Sequence, residues 1–407
     1  MHAPESPGRL KIAPLWLLAL VTFSGTLGMH IFVPALPFAA TDLGASISEM
    51  QLTVSLYILG LAVGQLVYGP LSDRFGRRPI LIFGLVLYTL AGLAAAFAPQ
   101  VHSLIAARLF QALGGCAGMV LGRAIVRDTS TPEASARRLA LLSLIVSVGP
   151  GSAPIIGSAL ASTLGWRSIF YLLFLLGVVN LICSWRFLPE TGRIGSHSDA
   201  RTLMRNYGQL LRSRAFLGYA IGGGCSTTSG YAFIASAPFI FIDQLHRPAR
   251  EVGLYLAILV AGASLGVWLT SRLVGRVPIQ QLMMRANAAS TLGAFVFLGA
   301  VLSGHLSVTW TLIPLFVFMF GSGMGNPAAV TLAIGVNTRI IGSASGLYGF
   351  TQMFIGAVCT ALVGLGHNPT LAAATILAVT SAIGQISFWI AIRARQGSDD
   401  GPHQTGR

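Results

Sequence analysis

Gly69-Pro-Leu-Ser-Asp73-Arg74-Phe-Gly76-Arg77-Arg78-Pro79 crowds four charges into a short interruption between two long apolar runs. The flanking runs, centred near residues 60 and 89, are each long enough for a helix of roughly 20 residues to cross a hydrocarbon core of about 30 Å. Working outward, the same alternation of apolar run and polar interruption recurs. Twelve runs are centred near residues 24, 60, 89, 113, 149, 177, 228, 261, 292, 321, 353 and 381. Backbone groups in lipid must pair within their own segment, so the runs are expected to be helices. They lack the residue-by-residue alternation that barrel strands need.

Composition agrees. Of 407 residues, 54% are hydrophobic and 9% charged, and the mean hydropathy is +0.74. A water-facing globule carries about a quarter charged residues, so lipid must cover most of this surface. The net charge of +14 does not point to nucleic acid, because the basic residues sit in short clusters between apolar runs and form no stripe. The four cysteines, Cys116, Cys183, Cys225 and Cys359, all fall inside apolar runs and read as small buried hydrophobes. No metal-ligand spacing, hydrolytic triad or nucleotide-binding loop is present, which argues against an enzyme or an ATP-driven pump.

The basic residues also set an orientation. With the N-terminus inside, the inner segments hold 22 of the 26 Lys and Arg; Arg167, Arg247 and Arg250 lie outside and Arg108 lies within a run. Both termini are therefore expected in the cytoplasm. The longest polar connection divides the runs six and six. The expected organisation is an N-tail at 1–13, a first bundle at 14–188, a linker at 189–213, a second bundle at 214–393 and a C-tail at 394–407. Internal repetition supports the division: residues 71–80, LSDRFGRRPI, are echoed 199 positions later by TSRLVGRVPI, so that Gly76, Arg77, Pro79 and Ile80 match Gly275, Arg276, Pro278 and Ile279. Two parallel halves of this kind are one symmetry of membrane transporters.

The opening stretch resembles the signature loop of the major facilitator superfamily, and the resemblance extends over nearly the whole chain. It implies an all-α membrane protein whose twelve helices form two pseudo-symmetric six-helix bundles. It also implies a conformational latch built from Gly69, Asp73, Arg74, Gly76, Arg77 and Asp128. Physically, Gly69 permits close helix packing, Gly76 a tight turn, Asp73 a cap or a pair across the inner face, and Arg77 a fork for the Asp128 carboxylate.

Arg108-Leu-Phe-Gln111-Ala-Leu-Gly114 in the fourth run looks like the superfamily's RxxQGxG motif. An arginine inside the bilayer is a functional candidate by default; snorkelling to the outer interface is the competing reading. In the fifth run, Gly149-Pro150-Gly151-Ser-Ala-Pro154-Ile-Ile-Gly157 is similar to a GPxxGG-like exporter motif, and Gly149, Pro150, Pro154 and Gly157 are read as a hinge. Stretches 231–240 and 342–352 resemble the Bcr/CflA drug-resistance subfamily. One departure stands out: where that subfamily carries an Asp before its YLPALP-like run, this chain has His30-Ile-Phe32-Val-Pro34. His30, with Arg108, is the proton-coupling candidate, since imidazole titrates near 6.5; a neutral His bonded to a neighbouring helix is the alternative. Met29, Phe32, Tyr57, Gln65, Arg108, Gln111, Tyr231, Phe233 and Asn326 are candidates to line a substrate cavity, with ordinary packing as the competing reading.

The expected function is secondary active transport. Specifically, it is proton-coupled efflux of drugs or other small amphipathic molecules by alternating access across a bacterial inner membrane, with the proton gradient as energy source and no cofactor. The lipid bilayer and a small substrate are the expected partners of a monomer. Import or facilitated movement of a small metabolite is the alternative.

Overall fold

The computed structural model describes residues 13–192, 200–337, 340–366 and 368–399. The N-tail through residue 12 and the C-tail beyond residue 399 lie outside the described residues. Twelve spans long and apolar enough to cross a membrane are found among the described residues, matching the twelve apolar runs.

The first span is broken. Helix α1 (Leu15–His30) ends at His30, a short 3₁₀ turn covers Val33–Ala35, and α2 (Leu36–Leu43) completes the crossing. Pro34 and Pro37 cause the break, because neither supplies an N–H to the preceding turn. Single helices form the next five spans: α3 (Ile47–Phe75), α4 (Arg77–Ala96), α5 (Val101–Asp128), α6 (Pro132–Thr163) and α7 (Arg167–Phe187). A capping box starts α3, where Ser46 Oγ accepts from the Glu49 N–H and Glu49 accepts from the Ser46 N–H at 2.8 Å. Gly76, at φ +96°, ends α3 and turns the chain into α4.

Between the halves lies α8 (Ala200–Arg212), a helix within the segment expected to be only a linker. The seventh span is broken like the first: α9 (Arg214–Thr227) and α10 (Gly230–Phe239) flank a turn at Thr228–Ser229, and a π turn at Ile240–Gln244 follows. Helices α11 (Ala249–Leu273), α12 (Ile279–Leu302), α13 (Val308–Ile334), α14 (Ile341–Gly364) and α15 (Pro369–Asp399) complete the second half. The last helix runs through residues 394–399, which the sequence reading gave to the C-tail.

The repeat seen in the sequence is also a repeat of backbone geometry, since Gly275 takes φ +87° where Gly76 takes +96°. Within each half, small residues bring helices together. A Cβ on Gly114 of α5 would lie 2.3 Å from the Tyr88 nitrogen of α4, and one on Gly266 of α11 would lie 2.1 Å from the Phe320 carbonyl of α13. Leu90, Ile182, Leu292 and Ile386 are exposed at the periphery, as a lipid-facing belt requires.

The two halves touch along α3 with α14 and along α6 with α11, which are equivalent pairs under the internal repeat. These contacts seal the face opposite the Arg-rich loops. There Ser48 Oγ donates to the Gly364 carbonyl, Gln51 Nε2 donates to Ser236 Oγ at 3.0 Å, and Ser158 Oγ donates to the Ala249 carbonyl at 3.1 Å. On the basic face the halves part around a cavity of about 570 Å³.

Candidate functional site

The break in the first span creates the polar centre of the first half. With the helix interrupted after His30, the Gly28 carbonyl loses its successor's N–H, and Arg108 Nη1 from α5 takes it at 2.9 Å. The same nitrogen donates to Gln111 Oε1 at 2.7 Å. Arg108 is wholly buried, so it does not snorkel to an interface. Its guanidinium lies 3.9 Å from the Tyr57 ring centre, 5.6 Å from that of Phe32 and 5.8 Å from that of Phe170. No carboxylate pairs with it among the described residues, and its Nε and Nη2, with Gln111 Nε2, have no hydrogen-bond partner there. Aromatic faces and a carbonyl therefore take the place of a counter-ion.

Neighbouring donors hold the same end of α1. Tyr57 Oη donates to the Gly25 carbonyl at 3.1 Å, Tyr88 Oη to the Ser24 carbonyl at 3.2 Å, and Asn180 Nδ2 to Ser24 Oγ at 2.9 Å. Sequence reasoning missed Tyr88, Ser24 and Asn180. An aromatic or small polar residue in an apolar run carries no mark of its own.

His30 is buried at the break, with its ring centre 6.0 Å from that of Tyr231 on α10. The two discontinuous spans thus meet here, and the contact crosses between the halves. Among the described residues no hydrogen bond reaches the His30 ring.

Several cavity candidates lie away from the opening on the basic face in this arrangement. Met29, Phe32, Tyr57, Gln111 and Phe233 are buried in packed core, and Arg108 with Gln111 fills a cage rather than facing open space. Phe233 packs edge-on against Phe297 and Phe241 at 5.7 and 6.4 Å. Asn326 lies in α13, which is continuous through Pro327; it accepts from Gln352 Nε2 at 2.9 Å, which also donates to Thr227 Oγ1 at 2.6 Å. Of the candidates, Gln65 lines the cavity on the basic face.

The hinge candidates behave as contact points. Helix α6 is continuous through Pro150 and Pro154. A Cβ on Gly157 would fall 1.8 Å from the Ile31 carbonyl at the break in the first span, and one on Gly149 would fall 2.9 Å from Thr26 Oγ1. The Pro154 carbonyl is met from the other half by Gly253, whose Cβ would lie 2.6 Å away.

At the basic face, Arg77 gathers the loop charges. Its Nη1 pairs with Asp73 Oδ1 at 2.6 Å and its Nε with Asp128 Oδ2 at 2.8 Å, and Nη1 also donates to Ser72 Oγ at 2.5 Å. Arg74 lies apart, 5.1 Å over the Phe75 ring. Asp73 pairs with Arg77 within its own half and stands on the wall of the cavity. Gly69 packs against nothing: a Cβ there would meet open space. Sequence reasoning also missed Glu190, whose carboxylate accepts from the N–H groups of Arg77 at 2.9 Å and Arg78 at 3.2 Å. It caps the start of α4 and ties the first linker residues to the charged loop.

The cavity is walled by α3, the start of α4, α5, α6, α8 and α14, with Thr202, Leu203, Asn206 and Tyr207 contributed by α8. Burial pushes the Tyr207 phenol above its ordinary range, so it stays a neutral hydroxyl. Among the described residues no cluster of three or more His, Cys, Asp or Glu could hold a metal ion.

Comparison with known proteins agrees with this architecture. The model of the Major Facilitator Superfamily matches residues 18–361. The chain is 30% identical to an uncharacterized MFS-type transporter, YdgK, of Bacillus subtilis, over 98% of this chain and 100% of that protein. It is 26% identical to the multidrug transporter MdfA of Yersinia pestis, over 85% of each. Among solved structures, a D-xylose–proton symporter superposes with a TM-score of 0.73 at 15% identity, covering 91% of this chain and 96% of that one; this likeness shows the fold alone. Twelve spans in two halves, sealed at one face and parted at the other, are the architecture of a carrier that exposes its site to each side in turn. With the match over most of its length, this multi-pass bacterial membrane protein belongs to the Major Facilitator Superfamily and is a secondary transporter of small molecules, not an enzyme.

Proposed function

We propose that the chain exports drugs or other small amphipathic molecules across the bacterial inner membrane in exchange for protons, with both termini cytoplasmic and the monomer as the working unit. The observation that carries the coupling is the position of His30, at the break of the first span and against Tyr231 of the second half. A proton gained there changes the charge at a contact that must open when the sealed face opens, so titration and conformation act on one seam. Export is supported by the relation to a multidrug transporter and by the Gly-Pro-rich stretch of α6, which packs on both halves. The reading includes membership of the Bcr/CflA subfamily, on the stretches of the seventh and eleventh spans. His30→Asn and His30→Gln, assayed for substrate-driven proton flux in sealed vesicles, test the coupling. Flux is expected to fall in both while the protein still inserts, and full coupling in both variants would end the idea.

A second reading has its own support. Among the described residues every Asp and Glu lies at the end of a span or outside it, and a facilitator or importer of a small metabolite needs no titrating acid in its core. A transport assay with direction resolved, run with and without an uncoupler, separates the two. Uptake that is insensitive to the uncoupler would favour the facilitator.

A further inference from the structure

The cavity on the basic face holds charges that the latch does not use. Three arginines line it, Arg77, Arg123 and Arg127. Arg77 is committed to Asp73, Asp128 and Ser72. Arg123 makes one hydrogen bond, from Nε to the Met119 carbonyl of its own helix at 3.1 Å, and its terminal nitrogens have no partner among the described residues. Arg127, one turn further along α5, has no hydrogen-bond or ion-pair partner among the described residues. Like charges at this spacing repel. Setting the three arginines against Asp73 and Asp128 leaves one positive charge uncompensated. An arginine that only obeyed the inside-positive bias would face lipid headgroups or water at the periphery; these two face the space between the halves.

The rest of the lining divides by chemistry. Thr202, Asn206, Tyr207, Ser343 and Ser345 offer hydroxyl and amide groups, while Val120, Leu139, Leu203, Ile340 and Ile341 offer an apolar wall. The volume of about 570 Å³ suits a small organic molecule. Asp73, which also lines the cavity, is already paired with Arg77 and so offers a cation no free acid.

We infer that this cavity is a loading site for singly anionic amphiphiles, with Arg123 and Arg127 holding the negative head and the apolar wall holding the tail. The inference rests on the transport reading in taking the occupant for a substrate; the binding chemistry does not depend on it. Guanidinium groups accept sulfate, sulfonate, carboxylate or phosphate monoester heads through paired N–H donors. Such a head could come from a free solute or from an anionic lipid.

The test uses purified full-length protein in nanodiscs of phosphatidylcholine, titrated with hexyl sulfate, methyl sulfate and hexyltrimethylammonium and followed by calorimetry. Hexyl sulfate is expected to bind at least about tenfold more tightly than either of the others, the first difference reporting the tail and the second the sign of the head. The double variant Arg123→Gln/Arg127→Gln is expected to lose that preference. Arg123→Lys/Arg127→Lys should keep most of it, and Arg272→Gln, a charge removed from the other half, should leave it unchanged. Hexyltrimethylammonium binding as tightly as hexyl sulfate would overturn the proposal, as would undiminished hexyl sulfate binding in the glutamine variant. Nanodiscs containing phosphatidylglycerol separate the sources. Competition with hexyl sulfate that depends on the same arginines supports the site with lipid as its occupant, and its absence supports a free solute. Absence of flux in vesicles would count against the transport reading alone, and loss of anion preference against the loading site alone.

Discussion

Arg108 is a charge kept in the core without an acid to balance it. Burying an ion costs several kcal/mol even after relaxation, and aromatic faces return about 2 kcal/mol when desolvated. The cage is therefore a site of net electrostatic cost. Replacing the guanidinium by an apolar chain of similar volume orphans the Gly28 carbonyl, a loss of about 1–3 kcal/mol, but also removes the cost of the buried charge. Arg108→Met is expected to hold or raise the melting temperature in detergent while transport in vesicles falls to background. A drop of many degrees would show that the cage is structural. Arg108 and the Arg77–Asp128 pair were legible in the sequence because a charge in or beside an apolar run stands out. Tyr57 and Phe32 were legible only as large apolar residues, and their role as walls of a cation's cage depends on which way three helices face.

At the scale of the element, the telling features are the two discontinuous spans and the helix that packs on one of the breaks. The prolines at 34 and 37 mark the first break in the sequence itself; the glycines and hydroxyl residues at 222–229 mark the second far less plainly. The α6 stretch looks like a hinge by composition, yet it is a continuous helix whose Gly157 admits a neighbour's backbone. A matched pair of substitutions separates these roles. Gly157→Ala places a methyl group against the Ile31 carbonyl, an overpacking worth about 1–3 kcal/mol, and should lower the melting temperature and slow transport. Gly299→Ala, within α12 with nothing within 4 Å of its Cβ, should be neutral or raise stability by about 0.5–1 kcal/mol through helix propensity alone. Equal effects of the two would refute the contact role. Helix α8 was invisible to a search for apolar runs because its character is amphipathic, with Leu210 buried and Arg201, Arg205 and Arg212 exposed.

For the whole molecule, the number of spans and their division into halves followed from length, hydropathy and one repeat, because the bilayer imposes them. Which face is sealed could not be read, since one sequence must encode both arrangements. In this arrangement a Cβ on Gly364 would lie 3.4 Å from Ser48 Oγ and 3.6 Å from its Cα, close enough for a disulfide. The variant Ser48→Cys/Gly364→Cys should form one on oxidation; the native cysteines are free, and Cys116, Cys225 and Cys359 are buried. Oxidised protein is expected to stop transporting and to recover on reduction, while hexyl sulfate binding at the basic face persists. Full transport by the crosslinked form would mean that this seam never opens.

The repeated turn at Gly76 and Gly275 carries one last implication. Both halves preserve the backbone bend, but the position of Asp73 is filled by Arg272 in the second, where the guanidinium lies 5.4 Å over Trp268. At this matched position only the first half carries an acid. The doubled architecture is thus a symmetry of backbone and not of charge.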